Sequence, residues 1–262
     1  MNKTVLSISA FDASGATGIP ADLKTFQTFR VYGAAVVTAI AAQNTLGIQA
    51  LHPVPMEIVG QQIEAVVSDI PVQAVKVGVL ATAANVQIVA SLLEAFGLKG
   101  LIVVDPVLYA ATGEPLLEPS GVPLLIEKVL PLAHVLTPNR REAEILSGIP
   151  VRDVPSAKEA ARLLHGKGAR HVIITGGGFE GPRAMDLWYD GTNDHIFDAV
   201  RLPSRNTLGL GTTFSAVICA LLTRGIVMGE AIDRAKKYLA KAMQHPFQIG
   251  KGKGPLNHTV PM

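Results

Sequence analysis

Cysteine is nearly absent from this chain. The single instance, Cys219, rules out an internal disulfide and a cysteine-built metal cluster, and its place inside an apolar stretch assigns it to packing. Charge of one sign is missing too: 23 Lys and Arg stand against 21 Asp and Glu, a net of +2, so no broad basic field is available for nucleic acid and none is expected as a partner. No uninterrupted apolar run reaches the ~18 residues of a membrane span. Met1 to Ala10 reads as a short apolar strand followed at once by polar loop residues, not as a secretory leader. The expectation is a cytoplasmic protein with no membrane partner. Internal repeats, low-complexity segments and an obvious linker are also lacking. What is present is 262 residues, 48% hydrophobic and 17% charged, the balance of a globular chain long enough for a substantial core. One domain over residues 1–262 is expected.

Apolar spacing alternates between two periods along the chain. Val5 to Ser9 reads as a buried strand, and Ile19, Leu23, Phe26 and Phe29 mark a first helix. Val36 to Ile40 is a second strand, ending in the polar stretch Ala41 to Thr45. Val59, Ile63, Val66 and Val67 form a helix face, Ala74 to Val77 a short strand, and Val86 to Phe96 a helix that Gly97 stops. The aliphatic run Leu101 to Val104, closed by Asp105-Pro106, has the look of a central parallel strand covered on both faces. Further helices are predicted around Leu124 to Val129, over Arg140 to Leu146 and after a Ser156–Glu159 capping box, with strands at Val135 to Thr137 and Val172 to Thr175. Ala184 to Tyr189 and His195 to Val200 read as a hairpin, and a final helix runs through Ile232, Ala235, Leu239 and Ala242. The fold class that follows is α/β, a mostly parallel central sheet with helices on both faces and a small antiparallel extension. Ligands on such sheets bind beyond the carboxyl ends of the strands, so the polar residues after each strand are the candidates. They are Asp12, Gln43-Asn44, Asp105, Asn139 with Glu142, Thr175 with its glycines, and the loop at 204–213.

That last loop is the most telling stretch. Ser204 to Thr213 is polar and broken by Gly209 and Gly211, and it runs into a helix whose apolar face is Phe214, Val217, Ile218, Leu221 and Leu222. The helix is predicted to begin near Thr212. Its first turn leaves N–H groups unpaired at the positive end of the macrodipole, while two glycines allow close backbone approach. The combination suits a phosphate, above all a phosphoryl group gaining charge during transfer. The same pattern also serves as a tight turn that merely starts a buried helix.

Six stretches together carry a family resemblance: Ser9 to Thr25 (SAFDASGATGIPADLKT), Ala41 to Thr45 (AAQNT), Lys76 to Leu80 (KVGVL), Asp105 to Gly113 (DPVLYAATG), Thr137 to Glu142 (TPNRRE) and Asn206 to Ala216 (NTLGLGTTFSA). In order and spacing they resemble the motifs of the hydroxymethylpyrimidine and phosphomethylpyrimidine kinases, members of the ribokinase-like superfamily that act in thiamine biosynthesis. The resemblance implies a ribokinase-like fold, ATP and Mg²⁺ as cofactors, an aminopyrimidine as the small-molecule substrate and a homodimer. It implies that Gly209, Gly211 and Thr212 form the anion hole and that Asp105 and Glu142 hold Mg²⁺, directly or through water. Asn139, Thr175, Gly177 and Thr207 would border the nucleotide together with Gly209. On the acceptor side, the Gln43 amide matches the amino group and ring nitrogen of an aminopyrimidine, Val79 and Val107 supply apolar contact, and Asp12 and Asp22 address the hydroxymethyl or phosphate end. For Asn139 and Glu142 helix capping is an equally good reading, for Asp22 charge compensation in its helix, and for the two valines ordinary core packing.

The chain also departs from that pattern. Thr212 stands where the family's cysteine is a candidate base, and a hydroxyl is a poor base at neutral pH, so reduced activity is an expectation. Thr175 replaces a lysine common before the paired glycines, Ala10-Phe11 replaces Gly-Thr and is expected to narrow the pocket, and Pro20 replaces a glutamine. Gly250 to Pro255 reads as a solvated flexible tail. These changes leave two alternatives open: a pyridoxal-type kinase, and a pyrimidine-binding protein weakened in catalysis.

Overall fold

The computed structural model describes residues 3–98 and 100–262. From β1 (Thr4–Asp12) the path runs through α1 (Gly18–Thr28) to β2 (Tyr32–Asn44) and turns back as β3 (Gly47–Pro53). It then alternates through α2 (Met56–Val67), β4 (Ala74–Val77), α3 (Ala83–Ala95) and β5 (Leu101–Val104). The turn α4 (Gly121–Leu124) widens into a π turn and tightens again through Leu132 before β6 (Val135–Leu136). Next come α5 (Arg140–Ser147), α6 (Val154–Gly166), β7 (His171–Ile174) and the hairpin of β8 (Arg183–Tyr189) and β9 (Asp194–Val200). Helices α7 (Leu210–Thr223) and α8 (Met228–Gln244) follow.

The nine strands form one sheet in the order β3-β2-β1-β4-β5-β6-β7-β8-β9. The middle six are parallel, and β3 at one edge and β8-β9 at the other run antiparallel to their neighbours. Alternation along each strand splits the core into two layers. Leu6, Ile8, Val75, Val77, Ile102, Val104, Leu136 and Val172 pack under α2 to α6, whereas Val5, Ala74, Val103, Val135 and Ile173 pack under α7 and α8 with Phe26 of α1. Because β1 has β2 on one side and β4 on the other, the strand order reverses there, and a crevice opens beyond the carboxyl ends of β1, β4, β5 and β6.

Three local expectations need correction. The polar stretch after Ile40 does not leave the sheet: β2 continues to Asn44 and pairs with β3, a hairpin with a register shift at Ala42/Gln43. Asp153, not Ser156, caps α6, its carboxylate accepting from the Ser156 amide at 2.9 Å while the Ser156 hydroxyl accepts from the Asp153 amide. Residues 250–255 are not a free tail. The Leu208 amide donates to Gly254 O at 3.1 Å, Gly254 N to Arg205 O at 3.0 Å and Gly252 N to Thr45 Oγ1 at 3.1 Å, which laces this strap to the glycine loop and to the hairpin tip.

Candidate active site

The glycine loop is shaped by one steric demand. Gly209 is the N-cap of α7 with φ +89°, and a Cβ there would lie 2.2 Å from the Ala16 carbonyl oxygen, so only glycine fits. The Thr213 amide donates to Gly209 O at 2.8 Å to start the helical ladder, and no side chain caps the helix. Its first turn, Leu210 to Thr212, lines the cleft together with Thr207 and Gly209. At Gly211 a Cβ would meet nothing within 4 Å. The protein itself does not require glycine at 211; the open space does.

Opposite the loop stand residues 12–17. Asp12 is buried, and its carboxylate accepts from the Ser14, Ala16 and Thr17 amides and from the Ser14 and Thr17 hydroxyls at 2.8–3.2 Å. Asp12 therefore lines the cleft but serves to shape the loop on which Gly209 rests. Asp22 departs further from expectation, since it does not line the cleft. It is fully buried beneath it, accepting from Ser7 Oγ at 2.6 Å and paired with Lys76 Nζ at 3.0 Å. Of the Ala10-Phe11 pair only Ala10 lines the cleft; Phe11 is 43% exposed and adds nothing to its wall.

Lys76 is the group that sequence reading passed over. It is fully buried on β4, bonded to Asp22 and 3.9 Å from Asp105, whose other neighbour is the Ser215 hydroxyl of α7 at 3.0 Å. Its signal was available: a lysine inside Ala74 to Val77, an otherwise apolar strand. Burial raises the pKa of Asp22 and of Asp105, against the opposing pull of Lys76. Glu142 is pushed up to about 8, first by burial and then by the charge of Asp105. Glu142 also completes a capping box with Asn139, accepting from the Asn139 amide at 2.9 Å while its own amide donates to Asn139 Oδ1 at 3.0 Å. Capping and cleft exposure coexist, because Asn139, Glu142 and Asp105 all line the cleft. Two desolvated carboxylates facing one space fit a hard divalent cation, which would relieve the repulsion that lifts Glu142. Among the described residues no group of three His, Cys, Asp or Glu closes on a metal position.

At the other end Gln43 sits at the β2–β3 register shift, half-buried, lining the cleft, and its amide bonds to no other side chain or backbone group among the described residues. Val79 and Val107 are beside it, joined by Ile48, Leu51, Leu116 and Tyr109, which the unrecognised hairpin and the 108–116 loop supply. Thr175 lines the cleft next to Asn139, with which it forms a backbone bridge. Gly177 does not: it lies exposed in a 3-10 turn whose carbonyl is held by Arg201. One further residue was not foreseen. Arg141 lines the cleft with its guanidinium carbon 3.6 Å from the centre of the Tyr109 ring.

Comparison with known proteins agrees with this geometry. The phosphomethylpyrimidine kinase family profile matches residues 12–257. A thiamine biosynthesis bifunctional protein of Geobacter sulfurreducens is 42% identical over 98% of this chain, which spans 52% of that longer relative. A hydroxymethylpyrimidine/phosphomethylpyrimidine kinase of Rhizobium meliloti is 42% identical over 98% of this chain and 97% of its own length. Among solved structures, the pyridoxal kinase of Staphylococcus aureus in complex with AMP-PCP and pyridoxal superposes with a TM-score of 0.89 at 33% identity, covering 98% of this chain and 94% of that one. Fold, cleft and relatives converge, and the chain belongs to the phosphomethylpyrimidine kinase family, with the ribokinase-like α/β architecture.

Proposed function

We propose that the protein transfers the γ-phosphoryl group of ATP to 4-amino-5-hydroxymethyl-2-methylpyrimidine, to its monophosphate, or to both, in thiamine biosynthesis. The observation that carries this reading is that the uncapped first turn of α7 and the Gln43 amide line one cleft. Gln43 can donate to a ring nitrogen and accept from the exocyclic amine, and Val79, Val107, Ile48 and Leu51 give the ring apolar walls. Gly211 and Thr212 line the same cleft in the uncapped first turn of α7, and their amides would stabilise the negative charge that grows as the acceptor oxygen bonds to the γ-phosphorus. The bond to the bridging oxygen breaks with its electron pair leaving on ADP, and a hydroxyl acceptor releases its proton. Asp105 and Glu142 would hold Mg²⁺, which neutralises phosphate charge when bound. Asn139, Thr175 and Thr207 border the nucleotide side. Thr212 contributes an amide whatever its hydroxyl does, so the missing cysteine slows the reaction without ending it.

Part of the same proposal are one kinase domain over residues 1–262 and a homodimer, the assembly that the resemblance implies. No helix among the described residues is long and apolar enough to cross a membrane. The deciding experiment measures ADP release with the free pyrimidine, its monophosphate and pyridoxal in parallel, with calorimetric binding of each compound. Turnover with pyridoxal alone would transfer the reading to a pyridoxal kinase. Pyrimidine binding with no ADP above background would reduce it to a binding protein.

A further inference from the structure

We infer that Arg141 is the side chain that grips the nucleotide's terminal phosphate, a role that rests on the kinase reading and extends it. The cleft is lined by three carboxylates, Asp12, Asp105 and Glu142, and among its described lining residues Arg141 carries the only cationic side chain. The glycine loop offers amides but no positive side chain; Lys76 near Asp105 is buried and paired with Asp22, and Lys253 lines the adjoining pocket beside Gln43 and Leu208, which leaves Arg141 as the cation on the lining shared with Asp105 and Glu142.

The attachment of Arg141 points the same way. Its neighbour Arg140 is tied into the fold, donating to Gly178 O at 3.0 Å and Val151 O at 2.9 Å. Arg141 makes no hydrogen bond or ion pair among the described residues, although Glu142 is adjacent and Asp105 lines the same cleft. Instead its guanidinium rests on the Tyr109 ring, an attachment that uses the flat face and leaves all five N–H donors at the rim free for an acceptor in the plane. Phosphate oxygens match that fork in a way a lysine cannot. Stability gives no reason for this residue: it occupies the first turn of α5, where the helix dipole disfavours a cation. Arg141 is also exposed, and the Tyr109 ring is the contact that holds it. Arg141 shares the cleft lining with its chain neighbours Asn139 and Glu142 of the expected nucleotide and metal side and with Tyr109, on whose ring it rests.

The test combines calorimetry with steady-state kinetics on Arg141→Gln, Arg141→Lys and Tyr109→Leu. For Arg141→Gln, turnover is expected to fall about 10²-fold, the loss typical of removing one charge-stabilising donor. Affinity for a nonhydrolysable ATP analogue should drop more than affinity for ADP, and affinity for the pyrimidine should hold. Arg141→Lys should recover part of the triphosphate affinity. Tyr109→Leu keeps the charge without its platform and is expected to cost about threefold, the scale of an exposed cation–π contact. Arg141→Gln with turnover and triphosphate affinity within twofold of the parent would overturn the inference, as would a loss confined to pyrimidine binding. If the unmodified protein releases no ADP, the kinase reading fails, and the ATP-analogue affinities still decide the role of Arg141.

Discussion

The two walls of the cleft recognise charge by different means. The α7 wall is made of backbone: Gly209 sets the turn, Gly211 leaves room, and the donors are amides that survive a change of side chain. The β4–β5 wall rests on buried side chains: Asp105 and Glu142 line the cleft, and beneath them Lys76 pairs with Asp22 and lies 3.9 Å from Asp105. A wall of amides tolerates Leu210 and Thr212 in place of other residues, because its dipoles do not depend on them. A wall of desolvated charges tolerates no missing member, since each group is compensated by the next.

That contrast can be broken at its strongest point first. Lys76→Met leaves Asp22 and Asp105 buried without a counter-charge, and a loss of about 3–5 kcal/mol is expected in urea unfolding; a midpoint equal to the parent would refute the mutual dependence of that wall. Next comes the pair of glycines. Gly209→Ala forces a Cβ into the Ala16 carbonyl at positive φ and should cut turnover about 10²-fold while lowering the unfolding midpoint. Gly211→Ala should keep or slightly raise that midpoint, by about 0.5–1 kcal/mol of helix propensity, and reduce turnover through the methyl group it places in the cleft.

A pH effect sharpens the carboxylate side. Glu142 has a folded pKa of about 8 against 4.5 for the free side chain, so between those values the native state holds a proton that the unfolded chain has released. Stability without Mg²⁺ should therefore fall as pH rises through this window and level off above it. Above the range in which the histidines held low by burial titrate, melting scans from pH 7 to 9 should show the decline, and it should be shallower in Glu142→Gln than in the parent. The smallest effect belongs to the amide wall: Thr212→Ala should lose less than about tenfold in turnover and Thr212→Cys should gain a little, because the backbone donor survives either change. A much larger loss in Thr212→Ala would show that the hydroxyl, not the backbone, carries this side.

Much of this was legible in the chain itself, for physical reasons. The aliphatic strands and amphipathic helices announce themselves by period, and the residues just after β1, β5 and β6 lie where the topology must gather them. Asp105, Asn139 and Glu142 are singled out that way, and Thr207 with the 209–212 loop by glycines ahead of an apolar helix; all of them line the cleft. The hairpin of β2 and β3 was not, because its Thr45-Leu46 turn lacks the usual glycine pairing and a register shift at Gln43 breaks the alternation. Ile48 and Leu51 were lost with it. Lys76 with Asp22, and the lacing of residues 250–255, depend on partners 54 positions away in the first case and on Leu208, Arg205 and, 207 positions away, Thr45 in the second, which no local pattern reports. Arg141 stands in the TPNRRE stretch with no part assigned to it, because no local pattern reports that the Tyr109 ring lies against its guanidinium.

The vacant direction at Gly211 has a practical use. Cys219 is wholly enclosed and its thiol is pushed far above the usual range by burial, so it is out of reach of a labelling reagent. Gly211→Cys would install the one accessible sulfhydryl of the molecule at the mouth of the helix. Its rate of alkylation would then serve as a direct gauge of whether a nucleotide occupies the site, and a bulky disulfide-forming cap would give an on–off control reversed by reductant.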